Sequence, residues 1–133
     1  MKVFIDTSAF IALLVPKDEN HAAAAAVWRD LVTREVPLVT TNYVVIETCA
    51  VLHRRFGAAA ARKFVEDAVP SLTVEWVGAE MHDAGVSNSL LSARRGPSVV
   101  DCVSFAAMRK LGINAFFAFD PHFAEQGFSD ATG

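Results

Sequence analysis

The sequence has few cysteines, no long apolar run and no excess of positive charge. Its two cysteines, Cys49 and Cys102, are too few for a disulfide-stabilised scaffold, and a reducing cytoplasm is the simpler setting for them. The longest near-continuous apolar runs, Ala9–Val15 and Ala22–Trp28, fall far short of the roughly 18–20 residues that a membrane span requires. Asp6 interrupts the N-terminus where a signal peptide would still be apolar, so we expect neither secretion nor membrane insertion.

The charge balance disfavours a protein that binds nucleic acid by a broadly basic surface. Twelve Lys and Arg residues against fifteen Asp and Glu residues give a net charge of −3. A local basic groove remains compatible with this balance, because the basic residues occur in pairs. Each pair also fits an ordinary solvated helix end. The pairs are Arg54-Arg55, Arg62-Lys63, Arg94-Arg95 and Arg109-Lys110.

The apolar content predicts a folded domain with a substantial core. Hydrophobic residues make up 53 % of the 133 residues and charged residues 20 %. This length, without an internal repeat or a low-complexity linker, predicts one domain over residues 1–133. A small domain this apolar is expected to bury some of its surface against another chain or a second copy of itself.

Short apolar segments alternate with helical patterns along the chain. Strands are expected at 2–5, 37–40, 72–77 and 113–119, with a stub of strand after 120, and the intervening helices at 7–15, 18–32, 42–56, 58–69, 79–94 and 99–111. Asp18 is expected to cap the second helix, and Thr41 or Asn42 the third. This α/β pattern predicts a central parallel sheet of four to five strands with helices on both faces. Ligands bind such sheets outside the carboxyl ends of the strands, near the reversal of strand order.

Four acids stand where an ionised carboxylate is costly. Asp6 and Asp120 follow the two most apolar strands, and Glu47 and Asp101 share helix ridges with apolar residues. Each has an ordinary alternative role. Asp6 and Asp120 could cap the turns that follow them.

The other two acids also have such alternatives. Asp101 could complete a capping box with Ser98, and Glu47 could pair with Arg54. As ordinary residues the four acids would need four separate partners, whereas acids that converge on one edge need only one or two cations.

Carboxylate ligands favour Mg²⁺ or Mn²⁺ over zinc. A zinc site built from Cys49, His53 and Cys102 would lack a fourth ligand. Neither thiol has a basic group tied to it that would make it a nucleophile. Ser8 lacks the G-x-S-x-G context of a serine hydrolase, and the chain has no glycine-rich phosphate loop.

Taken in order, four segments resemble the PIN-domain family, with the closest likeness to VapC-type toxins of bacterial toxin–antitoxin pairs. The segments are Val-Phe-Ile-Asp-Thr-Ser-Ala-Phe at 3–10, Tyr-Val-Val-Ile-Glu at 43–47, Ser-Val-Val-Asp-Cys-Val-Ser-Phe-Ala at 98–106 and Phe-Asp-Pro-His-Phe at 119–123. The resemblance covers essentially the whole chain and implies a PIN-like α/β fold.

The resemblance also implies a metal-dependent endoribonuclease that hydrolyses RNA phosphodiesters. The family's acids match four positions that would hold one or two Mg²⁺ or Mn²⁺ ions and carry the catalysis: Asp6, Glu47, Asp101 and Asp120. Three hydroxyls beside these acids are expected to support water at the metal: Thr7, Ser8 and Ser98. Ala118 stands where many members have a threonine, so a hydroxyl near Asp120 is missing.

Substrate and partner contacts are also expected. Four arginines are candidates to guide the RNA backbone: Arg54, Arg55, Arg94 and Arg95. A toxin of this family implies a cognate antitoxin, which we expect on the helices at 7–15 and 44–52. Phe10 and Trp28 are candidate anchors for it, although both residues also fit the hydrophobic core. A homodimer is the default assembly.

Two other classes of protein share parts of this pattern. One is a PIN-fold protein- or RNA-binding module with a vestigial metal site, which the retention of all four acids disfavours. The other is a phosphoacceptor receiver, which is disfavoured because Asp6 has no paired acid and no lysine follows Asp120.

Overall fold

A five-stranded parallel sheet lies at the centre of the computed structural model, which describes residues 1–91 and 96–132. In chain order the strands are β1 (Val3–Ile5), β2 (Leu38–Thr41), β3 (Thr73–Glu75), β4 (Ala115–Phe117) and β5 (Ser129–Asp130). Across the sheet their order is β3-β2-β1-β4-β5, and every neighbouring pair is parallel. The prediction of a parallel sheet with four to five strands is confirmed.

Strand β1 occupies the middle of the sheet and is buried on both faces. Val3, Phe4 and Ile5 have no exposed surface, although successive side chains of a strand point to opposite faces. The helical connections between the strands therefore cover both faces, as a parallel sheet requires.

The strand order reverses between β1 and β4. The chain builds β2 and β3 outward on one side of β1, then returns to place β4 and β5 on the other side. In this pairing Val3 lies opposite Ala115 and Ile5 opposite Phe117. Residues that follow β1 and β4 consequently emerge side by side at the carboxyl edge, where α/β proteins bind their ligands.

Seven α-helices connect and flank the strands within the described residues. They are α1 (Thr7–Leu14), α2 (His21–Thr33), α3 (Asn42–Phe56), α4 (Ala58–Lys63), α5 (Ala79–Leu91), α6 (Val99–Leu111) and α7 (His122–Glu125). After α4 the helix widens into a π-turn at Phe64–Ala68 and closes with a 3₁₀ turn at Val69–Ser71. The last part of the helix expected at 79–94 falls outside the described residues. None of the helices described is both long enough and apolar enough to cross a bilayer.

The helix caps agree with the sequence at α3 and disagree at α2. The Thr41 side chain accepts a hydrogen bond from the Val44 N–H at 3.2 Å, which confirms one of the two expected caps of α3. Asp18 does not cap α2, which begins at His21 and has no side-chain cap at Asn20. The Asp18 carboxylate instead accepts the Asn20 N–H at 2.8 Å, so it closes the turn between α1 and α2.

Phenylalanine rings fill much of the core. Phe123 packs against Phe105 and Phe116 at centroid distances of 4.9 and 5.3 Å, and Phe10 packs edge-on against Phe64 at 4.9 Å. Phe10 is completely buried, so of its two expected roles the core role is confirmed and the antitoxin anchor is wrong. Its position on the inner face of α1 makes it a core residue. The other expected anchor, Trp28, is half-buried against the same core.

Helix α5 packs very closely on α6. A Cβ atom placed on Gly85 would lie 2.9 Å from the Val103 Cα, so only glycine allows this approach. Around the contact, Met81, Val103 and Ala107 form a second small core with Val77. This packing fixes α6, whose first turn carries Asp101.

Candidate metal centre

Three aspartates meet at the carboxyl edge of the sheet. Asp6 directly follows β1, and its N–H donates to the Phe117 carbonyl of β4 at 3.1 Å. Asp120 lies three residues beyond the end of β4, and Asp101 is the third residue of α6. One carboxylate oxygen from each aspartate lies within 4.8 Å of the other two. Residues 6, 101 and 120, far apart in the chain, thus form one cluster, which we call the aspartate cluster.

Glu47 lies at the rim of the aspartate cluster. It is half-buried on α3 and lines a groove together with Val100, the residue before Asp101. Its negative charge contributes to the raised pKa values of Asp6 and Asp101, so it acts on the cluster electrostatically. Unlike the three aspartates, it does not bring an oxygen into the compact group.

Ser8 ties the first aspartate to the chain that carries the last. Asp6 is the N-cap of α1, and its Oδ2 accepts hydrogen bonds from the Ser8 N–H at 3.1 Å and the Ser8 hydroxyl at 2.7 Å. The same hydroxyl oxygen accepts the Phe119 N–H at 2.9 Å. The Ser8 proton is therefore directed at Asp6, so the hydroxyl positions the cluster.

The other two aspartates also fix the local backbone. Asp101 and Ser98 form a reciprocal capping box, with N–H to side-chain distances of 3.0 and 3.1 Å. Asp120 Oδ1 accepts the His122 N–H at 2.8 Å. The ordinary alternatives for Asp6, Asp101 and Asp120 are thus correct as local structure, and they coexist with the cluster. In each case one carboxylate oxygen makes these bonds, and the second has no hydrogen-bond donor among the described residues.

The electrostatics of the cluster are unfavourable to negative charge. Burial, with smaller contributions from the charges of Asp101 and Glu47, raises the pKa of Asp6 to about 6 against the opposing hydrogen bonds from Ser8. Burial also raises the pKa of Asp101, and the charges of Asp120 and Glu47 add to this effect.

No described cation neutralises the four acids. The ion pairs formed by the part of the chain that is described are Arg34 with Asp30 and His122 with Glu125. The alternative pairing of Glu47 with Arg54 is therefore not observed there. Two oxygen ligands of one Mg²⁺ ion, each at about 2.1 Å, lie at most about 4.2 Å apart. The 4.8 Å limit of the cluster is slightly larger than this span, and its hard oxygen donors suit a hard divalent cation.

Buried threonine hydroxyls fix the backbone around Asp6. Two of these residues, Thr40 and Thr48, were not predicted from the sequence. The Thr48 hydroxyl donates to the Thr7 hydroxyl at 3.1 Å, and the Thr40 hydroxyl donates to the Ile5 carbonyl at 2.8 Å. These bonds join α3 and β2 to the chain around Asp6. Thr7, expected to hold water, is buried and accepts from Thr48. The only signal in the sequence was the position of Thr48 beside Glu47.

His122 is a further residue that the sequence did not single out. Its Nδ1 lies 3.1 Å from a Glu125 carboxylate oxygen. That hydrogen bond raises the pKa of His122, and the nearby charge of Asp120 adds to the effect. A partly exposed group that favours the imidazolium form thus stands next to the cluster.

The expected basic contacts are only partly located. Arg54 and Arg55 are exposed in the last turn of α3, about 10–12 Å along the helix from Glu47 at a rise of about 1.5 Å per residue. Arg94 and Arg95 lie outside the described residues. The roles of all four in RNA binding remain predictions.

The cysteines form no alternative site in the described ranges. Cys49, His53 and Cys102 do not constitute a group of metal ligands there. Burial raises the pKa of both thiols, which disfavours the thiolate that a metal or a nucleophile would require.

We predict that Asp101→Asn will stabilise the metal-free protein. Asparagine keeps an oxygen for the Ser98 N–H but removes one of the repelling charges. In the wild type, Mn²⁺ at a hundredfold excess over its Kd should add about 2.7 kcal/mol of stability, and the variant should gain much less. Thermal unfolding in chelator-treated buffer, with and without Mn²⁺, measures both effects.

Asp18→Asn is the matched control, because Asp18 makes a similar turn contact away from the cluster. Its Mn²⁺-induced gain should equal that of the wild type. A loss of stability in metal-free Asp101→Asn, with no response of the wild type to Mn²⁺, would contradict a metal centre.

We predict that the metal-free protein becomes less stable as the pH rises from about 4 to about 6. Folded Asp6 has a pKa of about 6 and its ordinary value is 3.8, so over this range only the folded state holds the proton. Ionisation of Asp6 therefore lowers the free energy of the unfolded state but not that of the folded state. The free energy of unfolding falls by up to about 3 kcal/mol over this range. Urea unfolding across this range should show the decline in wild type and a flatter profile in Asp6→Asn. A constant difference between the two proteins would contradict the raised pKa.

We predict that Ser8→Ala will weaken metal binding by about 10- to 100-fold, because groups that orient metal ligands typically have effects of this size. Alanine removes both the donor to Asp6 and the acceptor for Phe119. Ser8→Thr retains the hydroxyl and should restore most of the affinity. Calorimetric titration with Mn²⁺ measures the affinities, and equal values for all three proteins would exclude this role of Ser8.

Known proteins share this architecture. A family model described as PIN domain matches residues 3–129. The 23S rRNA-specific endonuclease VapC20 of Mycobacterium tuberculosis, from strains CDC 1551 / Oshkosh and ATCC 25618 / H37Rv, is 34% identical over 127 residues, which are 95% of each chain.

Solved structures of known proteins also have this fold. The crystal structure of Mycobacterium tuberculosis VapC20, described as a sarcin–ricin loop cleaving toxin, superposes with a TM-score of 0.83 at 33% identity over 96% of both chains. The structure of FitAcB from Neisseria gonorrhoeae, at 11% identity and a TM-score of 0.70, covers 96% of this chain and 95% of that one, and shows the shared fold. With a family match over nearly its whole length and a relative 34% identical over 95% of it, this chain belongs to the PIN-domain family.

Proposed function

We propose that this protein is a metal-dependent endoribonuclease that hydrolyses RNA phosphodiesters, and that it is the toxin of a toxin–antitoxin pair. The observation that carries the proposal is the aspartate cluster, whose three carboxylates lie within 4.8 Å without a cationic partner among the described residues. The relative VapC20, which is named as a 23S rRNA-specific endonuclease, supports the same activity.

Asp6, Asp101 and Asp120 would hold Mg²⁺ or Mn²⁺ directly, and Glu47 would contribute from the rim, directly or through water. When bound, such an ion supplies Lewis acidity: it lowers the pKa of water and offsets negative charge on the phosphate oxygens. The protein holds one oxygen of each aspartate with backbone hydrogen bonds, so the second oxygen is oriented before metal and substrate arrive.

Other residues act on the substrate. The partly exposed His122, whose pKa is raised by its hydrogen bond to Glu125, is proposed to contact the RNA backbone beside Asp120. Exposed Arg54 and Arg55, together with Arg94 and Arg95, are proposed to bind more distant phosphates. VapC20 is a 23S rRNA-specific endonuclease, so by analogy we expect the substrate of this protein to be ribosomal RNA. Because bacterial ribosomes lie in the cytoplasm, we expect the protein to act there.

An antitoxin is proposed to dock in an apolar groove at the ends of α1 and α3. The groove has a volume of about 410 Å³, and the lining residues are Leu14, Val15, Pro16, Lys17, Leu52, Phe56 and Ala60. Helices α1 and α3 are the two on which the sequence predicted a bound peptide. Phe56 is 51% exposed and replaces Phe10 as the candidate anchor.

A homodimer is proposed through the exposed apolar end of α5. Leu90 and Leu91 are 79% and 81% exposed. The antiparallel contact of Gly85 with Val103 places this end of α5 near the start of α6, where Val99 is also exposed. These side chains provide the apolar surface that a second copy would cover.

Cleavage of an RNA hairpin with the sequence of the 23S sarcin–ricin loop tests the proposed activity. Wild type should cleave it with Mg²⁺ or Mn²⁺ and stop when EDTA is added. Removing a residue that only orients a metal ligand typically lowers activity by about 10- to 100-fold. Asp6→Asn should lower the cleavage rate by more than this, because it removes a metal ligand itself. Asp18→Asn is the control and should retain full activity.

Cleavage that persists in EDTA or in Asp6→Asn would overturn the proposal. Specific binding of the hairpin without any cleavage in either metal would instead identify an RNA-binding module with a vestigial metal site.

A further inference from the structure

A groove of about 490 Å³ lies directly beside the aspartate cluster, and the proposed metal chemistry leaves it unused. Its lining residues come from the first two turns of α3 and the first turn of α6: Asn42, Tyr43, Ile46, Glu47 and Val100. Glu47 is the rim acid of the cluster, and Val100 precedes Asp101. The groove therefore opens next to the point where a phosphodiester would be cleaved.

The groove presents a fixed aromatic ring and an exposed aliphatic side chain. The Tyr43 hydroxyl is hydrogen-bonded to His82 Nδ1, and the two rings pack edge-on with centroids 5.9 Å apart. The orientation of Tyr43 is thus set by α5. One turn of α3 further on, Ile46 is 69% exposed. A flat ring of a ligand could lie against this pair.

The groove also contains hydrogen-bond donors. Asn42 Oδ1 accepts the Val77 N–H at 2.6 Å, which identifies the oxygen and directs it away from a ligand. The amide NH₂ has no acceptor among the described residues, so both of its donors are available.

We propose that this groove is a nucleobase subsite, which takes the base of a nucleotide next to the scissile phosphate. The proposal rests on the ribonuclease function. RNA loops present unstacked bases that stack on aromatic side chains and bond to amide groups, and the groove offers both. Its continuity with the cluster through Glu47 favours a base of the bound RNA over an apolar protein segment, which would leave the Asn42 donors unsatisfied.

The test is steady-state cleavage of the sarcin–ricin hairpin in Mn²⁺ by wild type, Tyr43→Ala and Tyr43→Phe. Loss of one stacked base should raise KM of Tyr43→Ala by about 5- to 150-fold, with kcat nearly unchanged. Tyr43→Phe keeps the ring and should remain within a few-fold of wild type. Val32→Ala, an exposed apolar residue on α2, is the control and should behave as wild type.

Hairpins with one abasic nucleotide near the cleaved bond identify the base. At one position the abasic change should raise KM for wild type and cause no further rise for Tyr43→Ala. The Mn²⁺ affinity of Tyr43→Ala, measured by calorimetry, should equal that of wild type and so exclude a folding defect.

The outcomes separate the two proposals. If wild type cleaves no RNA, the proposed function fails. If wild type cleaves and Tyr43→Ala has the same KM, the subsite alone is refuted. If Tyr43→Ala instead changes the molar mass in light scattering with an unchanged KM, the groove is a contact between copies of the chain and the subsite is likewise refuted.

Discussion

The burial of negative charge in the aspartate cluster, to which repulsion between the carboxylates adds, is the constraint on which the site depends. Their oxygens lie within 4.8 Å of one another, and burial raises the pKa of Asp6 to about 6. Without a cation, the fold must hold the group together against this repulsion. Two helix N-termini offset part of it, because Asp6 caps α1 and Asp101 lies in the first turn of α6, where the helix dipole favours negative charge. A bound metal ion would neutralise the negative charge that the helix N-termini do not offset.

The hydrogen bonds that cap α1 and α6, and the one that closes the turn at Asp120, also orient the carboxylates. A carboxylate has two oxygens, and in each aspartate one accepts hydrogen bonds from the backbone while the other has no hydrogen-bond donor among the described residues. Capping and metal binding are therefore not alternatives for these residues. Ser8 extends this arrangement across the sheet, since its hydroxyl contacts both Asp6 and the backbone of Phe119. It holds the segment before Asp120 even though Ala118 lacks the hydroxyl that many family members have there.

Local features of the sequence predicted the sheet and the positions of Asp6 and Asp120. Apolar strands and the acids that end them lie within a few residues, so the pattern is visible in the chain. Other features depend on contacts between distant residues, such as Ser8 with Phe119 or Thr7 with Thr48, and no local pattern encodes them. The error at Asp18 has a similar origin, because turn and cap use the same side-chain bond and only the packed helices determine which forms.

An acidic cluster by itself cannot select one RNA from another. Its ligands act on a phosphate and on metal, and phosphate contacts carry no sequence information. The chain also has a net charge of −3, so non-specific attraction to RNA is weak. Selectivity must then come from surfaces next to the cluster that recognise bases or loop shape. The groove at Asn42 and Tyr43 is such a surface, because it adjoins the cluster at Glu47 and offers an aromatic ring with free amide donors.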